Sequence, residues 1–542
     1  MNDSSGNGHK RPDLVDTGKG LSVFYQERFL YSRYDPPLTP IRTVTQTIIK
    51  EETLVFCPSP LLGYGLKELL TILPKSCCII AVEYDEDLMA LSTAHLDPSI
   101  KNNPSFKYYR TDSVFALLSC IDSLDQGPFR RCLRLDLSGG SSLYSEFYSR
   151  CLNAIDEYIS RWWRNHLTLM SLGRNYTRNL FRNLKSLAGS QILRASSIDS
   201  PIFIAGAGPS LNATLPFLRV HRQKIFLLCV DTALRTLLDF GLKPDAVIVV
   251  ESQFWIEDAF LNSAYTNIPI FADLTARPQA LKVTGGPVRF FATQFTHASF
   301  LSRLHTSIPG TPVIPPLGSV GLIALYLSLF LQKEGHVILF SGLDFSITHE
   351  FTHSRGSPST HKNHRFSSRL SPAGSQLPTF SETAFTHKGK NNTVVYTDPN
   401  LLGYARLCRT AFESYKNIID VGETGLITCG IMMGAKEAFA LLKEKGPKEA
   451  EKLVEAQSIS DIPINEWLQL EKAKLVRLKA LLTGSETSSD PESEICHILK
   501  TSEYLYLHFP DGYRGARMDQ EFLKRVRIEL EYALKTLNFP LT

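Results

Sequence analysis

Short apolar runs separated by small-residue turns recur through the middle of the chain. Residues 201–205, 225–230, 246–251, 268–272, 288–292 and 336–340 are rich in Ile, Leu, Val, Phe and Ala and show little polar alternation. Runs of this length, apolar on both faces, predict strands of a parallel sheet covered on two sides. Between several of them the apolar spacing becomes helical, at 215–218, 233–240 and 322–331. The alternation predicts an α/β fold with a doubly wound, Rossmann-like central domain.

The same pattern occurs once earlier. A strand at 53–57, a Pro/Gly loop at 58–65, an amphipathic helix at 66–73 and a second buried strand at 77–83 form a Rossmann-like order that ends on Glu83. Glu83 lies twenty positions after Gly63, where a ribose-binding carboxylate would sit. The loop lacks the GxGxxG spacing, so a scaffold without ligand is the favoured reading. Asp85-Glu86-Asp87 has the look of a DxD metal–nucleotide motif, but three acids opening a helix are favoured as partners of its dipole.

Residues 141–195 read as helices, with Trp162-Trp163 and then Arg174, Arg178, Arg182 and Lys185 on one face, expected to be solvated surface. Residues 354–392 have no period and are expected to form a long loop or lid. Beyond 436 the chain turns to helix-forming Ala, Glu, Lys and Leu, broken by Gly484-Ser485-Glu486-Thr487-Ser488-Ser489-Asp490-Pro491. The resulting division is a disordered leader (1–20), an N-terminal Rossmann-like domain (21–140), a helical connector (141–195), a central domain (196–435) and a helical C-terminal region (436–542).

Composition changes this picture little. Hydrophobic content of 43% and charged content of 21% suit large buried cores, and a net charge of +4 over 542 residues argues against a nucleic-acid partner. The ten cysteines show no CxxC spacing, so neither a structural metal nor a disulfide framework is expected. The N-terminus has no apolar signal segment. The apolar run 317–331 is about fifteen residues, short of the roughly twenty a bilayer needs, and reads as a buried helix. A cytoplasmic protein with no membrane span is the expectation.

The candidate chemistry gathers in the central domain. Ile202-Phe203-Ile204-Ala205 runs into Gly206-Ala207-Gly208-Pro209-Ser210-Leu211, a strand opening into a small-residue turn before a helix. Such a turn lets backbone N–H groups approach a phosphate, and Ser210 is placed to cap the helix. His349-Glu350-Phe351-Thr352-His353 satisfies HExxH, but Ser354-Arg355-Gly356-Ser357-Pro358 follows and no helical period surrounds it, which argues against a zinc hydrolase.

This GAGPSL loop resembles that of the motility-associated (Maf) flagellin glycosyltransferases, which are similar to bacterial sialyltransferases reading GNGPSL there. Five further stretches agree in order: Ser32-Arg33-Tyr34-Asp35-Pro36, Asp231-Thr232-Ala233-Leu234 with Gly241-Leu242-Lys243-Pro244-Asp245, Gly318-Ser319-Val320 with Gly342-Leu343-Asp344-Phe345, Thr352–Ser357, and 420–430. The chain departs from the family at Glu251 (usually Asp), Asp420 (Asn) and Thr424-Gly425 (Gly-Gly). The resemblance implies an inverting, metal-independent glycosyltransferase without a cofactor. It would move a nonulosonic acid from a CMP-activated donor to Ser or Thr hydroxyls of flagellin, in support of motility. Other flagellar or flagellin-chaperone proteins are candidate partners.

By the same resemblance Gly206, Gly208, Pro209 and Ser210 would meet the donor phosphate, and Asp231 the ribose or base. Gly318, Ser319 and Gly342 would line the donor pocket, with Asp344 supporting it. His353 is the candidate general base, since an imidazole titrates near neutrality. Tyr396 and Tyr404 are within range to assist the leaving phosphate. Two rival readings stand beside this one: a flagellin-binding factor that has lost transfer, and an enzyme like the archaeal hydroxymethylpterin diphosphokinases. The latter need clustered acids where this chain has Val249-Val250-Glu251-Ser252.

Overall fold

A computed structural model describes residues 11–124, 127–187, 191–193, 195–296, 298–348, 351–370, 372, 381–442 and 464–538. The chain divides into two compact units, Met1–Thr168 and Leu169–Thr542. The boundary lies inside one long helix, so the expected connector is neither separate nor several helices.

The first unit opens with an antiparallel sheet of β1 (Asp13–Asp16), β2 (Leu21–Tyr25) and β3 (Arg28–Phe29). The expected leader therefore already holds a strand; its first ten residues lie outside those described. Next come α1 (Leu38–Thr45), β4 (Thr53–Pro58), α2 (Leu66–Ile72), β5 (Cys78–Glu83), α3 (Glu86–His95), α4 (Pro98–Lys101), β6 (Phe106–Arg110), α5 (Val114–Asp122) and β7 (Arg131–Arg134). Strands β4 to β7 pair in parallel in the order β6-β5-β4-β7, a Rossmann-like half. Both central strands, β4 and β5, are buried along their whole length. The unit then passes into α6 (Ser145–Leu187), which crosses to the second.

The acids at the end of β5 are committed to this unit. Glu83 is fully buried, and its carboxylate accepts from Ser59 Oγ at 2.7 Å, Tyr148 Oη at 3.1 Å and the Tyr84 N–H at 3.0 Å. Asp85 caps α3, accepting from the N–H groups of Asp87 and Leu88. The helix-dipole reading of the acids describes the Asp85 contacts.

The second unit is built on a parallel sheet, ten-stranded among the described residues. Its strands are β8 (Gln191–Ile192), β9 (Ile202–Ala205), β10 (Phe226–Val230), β11 (Ala246–Val249), β12 (Ile270–Asp273), β13 (Val288–Thr293), β14 (Val313–Ile314) and β15 (Ile338–Ser341). A hairpin, β16 (Phe385–Lys388) with β17 (Val394–Thr397), precedes β18 (Ile418–Asp420) and β19 (Ile431–Met432). The sheet order is β14-β13-β12-β11-β10-β9-β15-β18-β19, with β8 beside β13. The chain builds outward from β9 on one side, then returns to its other side as β15. That reversal makes the carboxyl ends of β9, β10 and β15 a topological switch point, where α/β sheets hold ligands.

Helices α7 (Leu211–His221), α8 (Asp231–Asp239), α9 (Ser299–Ser307), α10 (Val320–Leu331), α11 (Pro358–Phe366), α12 (Pro399–Phe412) and α13 (Ala435–Ala440) accompany these strands. Helix α10 is the apolar run noted above. It packs against β9, β10 and β11, and no described helix is long and apolar enough to cross a membrane. Helix α11 and β16 fall within 354–392, expected to be loop: Ser357 caps α11 and Pro358 starts it.

The tail, α14 (Ile464–Thr483), α15 (Pro491–Lys500) and α16 (Gln520–Asn538), belongs to the second unit. Asp490 and Pro491, read from sequence as a break, are the N-cap and first residue of α15. The basic stripe of α6 is not free surface. Arg174 Nε donates to Glu529 on α16 at 3.0 Å, and Lys185 Nζ to the carbonyls of Thr536 and Leu537 at 3.0 and 2.8 Å.

Candidate functional site

The glycine loop after β9 lies along the loop after β15. The N–H of Gly206 donates to the Ser341 carbonyl and that of Gly208 to the Gly342 carbonyl, both at 2.8 Å. The Ser210 N–H donates to Asp344 Oδ2 at 2.7 Å. Ser210 Oγ donates to Asp344 Oδ1 and accepts from the Gly342 N–H at 2.9 Å. The expectation that these three N–H groups are offered to a phosphate therefore meets them already engaged. Ser210 makes no side-chain cap on α7 either, because its hydroxyl faces β15. The glycines serve backbone approach: a Cβ on Gly206 would stand 2.4 Å from the Gly342 oxygen, and one on Gly208 2.6 Å from Asp344 Oδ2.

Asp344 is buried as part of a charged cluster that sequence reading missed. Lys390, in the turn between β16 and β17, is 1% exposed and pairs with Asp420 at 2.7 Å while donating to the Gly422 carbonyl at 3.0 Å. Asp420 also accepts from Thr428 Oγ1 at 2.8 Å and the Gly422 N–H at 2.9 Å. Burial raises the Asp344 carboxyl to about 6, against the pull of Lys390 and the hydrogen bonds from Ser210. Burial also raises Asp420, opposed by Lys390. Nothing local in the sequence marks Lys390, since its partner is thirty positions away.

The other predicted residues gather along the same carboxyl edge. Ser354 N–H donates to the Ala207 carbonyl at 2.7 Å, and Ser354 Oγ lies 2.8 Å from Thr236 Oγ1 of α8. This docks the loop carrying His353 onto the glycine loop. His353 Nδ1 is 3.1 Å from both Thr352 Oγ1 and Ser359 Oγ, and burial lowers its pKa below the usual imidazole value. In the tautomer whose Nδ1–H donates to one of these hydroxyls, Nε2 is the nitrogen that can take a proton. The loop is not helical at His353, and His349 and Glu350 of the HExxH match lie outside the described residues.

Asp231 is the first residue of α8 and 3% exposed. Its Oδ1 accepts from the Thr232 hydroxyl at 2.8 Å and from the Thr232 N–H. Burial raises it to about 6; the Thr232 bonds pull it down and the Glu251 carboxylate adds to the rise. Among the described residues no three His, Cys, Asp or Glu side chains converge as a metal ligand set.

Gly318 and Ser319 open α10. Ser319 makes no side-chain cap, so the first N–H groups of that helix are not satisfied by its N-cap residue. Leu343 places them. One of its methyls would lie 2.7 Å from a Cβ on Gly206 and 2.3 Å from a Cβ on Gly321, so the glycine loop and the start of α10 converge on it. A Cβ on Gly318 would stand 2.8 Å from the ring of Tyr404. Tyr396 lies instead in β17, its carbonyl accepting from Ile347.

Residues 174–350 match the family described as MptE-like, 6-hydroxymethylpterin diphosphokinase MptE-like. An uncharacterized protein of Treponema pallidum (strain Nichols) is 35% identical over 548 residues, covering 97% of this chain and 95% of that one. Among solved structures, the Maf glycosyltransferase of Magnetospirillum magneticum AMB-1 superposes with a TM-score of 0.59 at 14% identity. The match covers 97% of this chain and 91% of that one, a likeness of fold.

Proposed function

This chain belongs to the same family as the Treponema pallidum protein, and we propose, from the fold it shares with a Maf glycosyltransferase, that it is a glycosyltransferase. It takes a CMP-activated nonulosonic acid as donor and flagellin hydroxyls as acceptor. The observation that carries this reading is the convergence of three segments at the switch point of a sheet shared with a Maf glycosyltransferase. They are the glycine loop, the start of α10 and the His353 loop. The donor phosphate is assigned to Ser319 and the N-terminus of α10, where the helix dipole favours negative charge. Gly206, Gly208, Ser210 and Asp344 hold the floor beneath it.

Departure of the nucleotide leaves positive charge at the sugar carbon, and attack by the acceptor hydroxyl releases a proton. His353 receives that proton at Nε2, its lowered pKa keeping it unprotonated at neutral pH. Tyr404, packed against Gly318, stands on the phosphate side. The diphosphokinase reading has the family match over 174–350 in its favour. Against it, no three His, Cys, Asp or Glu side chains converge among the described residues to hold a metal-bound triphosphate.

The test is thermal stabilisation by CMP, UDP and ATP with magnesium, followed by CMP release from the donor in the presence of flagellin. A CMP-selective shift with flagellin-dependent release is expected. His353→Ala should keep the shift and lose turnover by at least 100-fold. A shift with magnesium-ATP alone would overturn the assignment in favour of the diphosphokinase.

A further inference from the structure

Phe254 and Trp255 stand exposed on the turn that follows β11, at 54% and 53% of their surface. Their ring centroids are 3.8 Å apart, so they present one aromatic platform. The turn packs on α8, the helix that Asp231 begins. Lys362 of α11 lies over the Trp255 ring at 5.7 Å, and Phe366, one helical turn further and 61% exposed, shares the Lys362 face. Helix α11 also carries His361, His364 and Arg365 and contains no acidic residue. Of the two acids in the aromatic turn, Glu257 pairs with Arg277.

The platform is tied to the candidate site through α11. Its first turn holds His353 by Ser359, and His361 Nε2 lies 3.6 Å from Asp239 at the end of α8. The proton acceptor and the aromatic pair are thus held by successive turns of one short helix. Exposed Trp and Phe are costly to leave in water and are typical anchors of protein interfaces. Cations beside them favour a partner with carboxylates.

We propose that Phe254 and Trp255, with the basic face of α11, form the docking surface for the acceptor polypeptide. They select a segment that presents an apolar side chain flanked by acidic residues. This rests on the glycosyltransferase reading and adds to it the residues that choose the protein substrate.

The test measures flagellin binding by interferometry, and CMP stabilisation separately, in the full chain and two variants. Phe254→Ala/Trp255→Ala and Lys362→Glu alter exposed side chains and should fold normally. Flagellin affinity is expected to fall at least tenfold in each, more steeply at low salt for Lys362→Glu, with the CMP shift unchanged. If the parent chain binds flagellin without turnover and the variants lose binding, the docking surface stands while the transferase reading fails. Unchanged flagellin affinity in the variants, or a parent chain that does not bind flagellin, overturns the proposal. So does a loss of the CMP shift with flagellin binding intact, which would make the platform part of the donor site.

Discussion

Lys390 carries the only side-chain cation described within contact of Asp420, and both are buried to within 2% of full enclosure. Removing a buried cation leaves its carboxylate without compensation, a loss of about 3–5 kcal/mol. Lys390→Met should lower the urea midpoint accordingly, and Lys390→Met/Asp420→Leu should recover part of it by removing both charges. Asp231 tests the opposite case. Its folded pKa of about 6 exceeds the unfolded value near 3.9. Between about pH 4 and 6 the folded chain therefore keeps a proton that the unfolded chain has released, and this group's contribution to stability falls as pH rises through that window. Asn can keep the Thr232 bonds without the charge. Asp231→Asn should be more stable than the parent by roughly 1–3 kcal/mol at pH 7.5 and equal to it below pH 4. Equal urea midpoints at both pH values would show that the carboxylate is better solvated than its burial implies.

At the scale of elements, α6 holds two loops at the carboxyl edge of the sheet in a way no local pattern announces. Asn179 Nδ2 donates to the carbonyls of Ser252 and Thr275, both at 3.0 Å. Asn183 Nδ2 donates to those of Leu274 and Ala276 at 2.9 and 2.8 Å. Two amides four positions apart thus satisfy four carbonyls in the loops after β11 and β12. Asn183→Leu should cost about 1–3 kcal/mol for the acceptors left unpaired. It should also speed amide exchange in residues 274–276 before the rest of the sheet. The strands themselves were legible, because β9, β10, β11 and β15 are buried on both faces and must read as continuous apolar runs. Their order was not, since β9 pairs with β15 across more than a hundred residues of chain. The GAGPSL loop was legible as a small-residue turn between a strand and a helix, but its role was not. What its N–H groups do is decided by Gly342 and Asp344, and spacing along the sequence carries no information about that contact. The stripe of α6 misled in part: Arg174 and Lys185 bond to α16, although Arg174 stays half exposed.

For the larger unit as a whole, the tail decides whether the sheet and its flanking helices unfold together. Tyr504 is 2% exposed, its ring edge-on to Phe181 of α6 at 5.1 Å and to Phe300 of α9 at 5.3 Å. Its hydroxyl donates to Glu471 of α14 at 2.7 Å, and Glu471 also meets Arg303 of α9 at 3.3 Å. One aromatic side chain therefore joins the tail to both the long helix and the sheet-covering helix. A tail held only by exposed ion pairs would melt early, because such pairs contribute little. A tail held by a shared apolar core must melt with the sheet. Tyr504→Ala should cost about 3–5 kcal/mol. It should lower a single transition, seen alike in far-ultraviolet dichroism and in the fluorescence of Trp467, which is buried in α14. CMP, if it binds the switch point as proposed, should raise that same transition. An early fluorescence change in the parent chain that CMP fails to shift would mean that the tail folds on its own and that Tyr504 is only its local anchor.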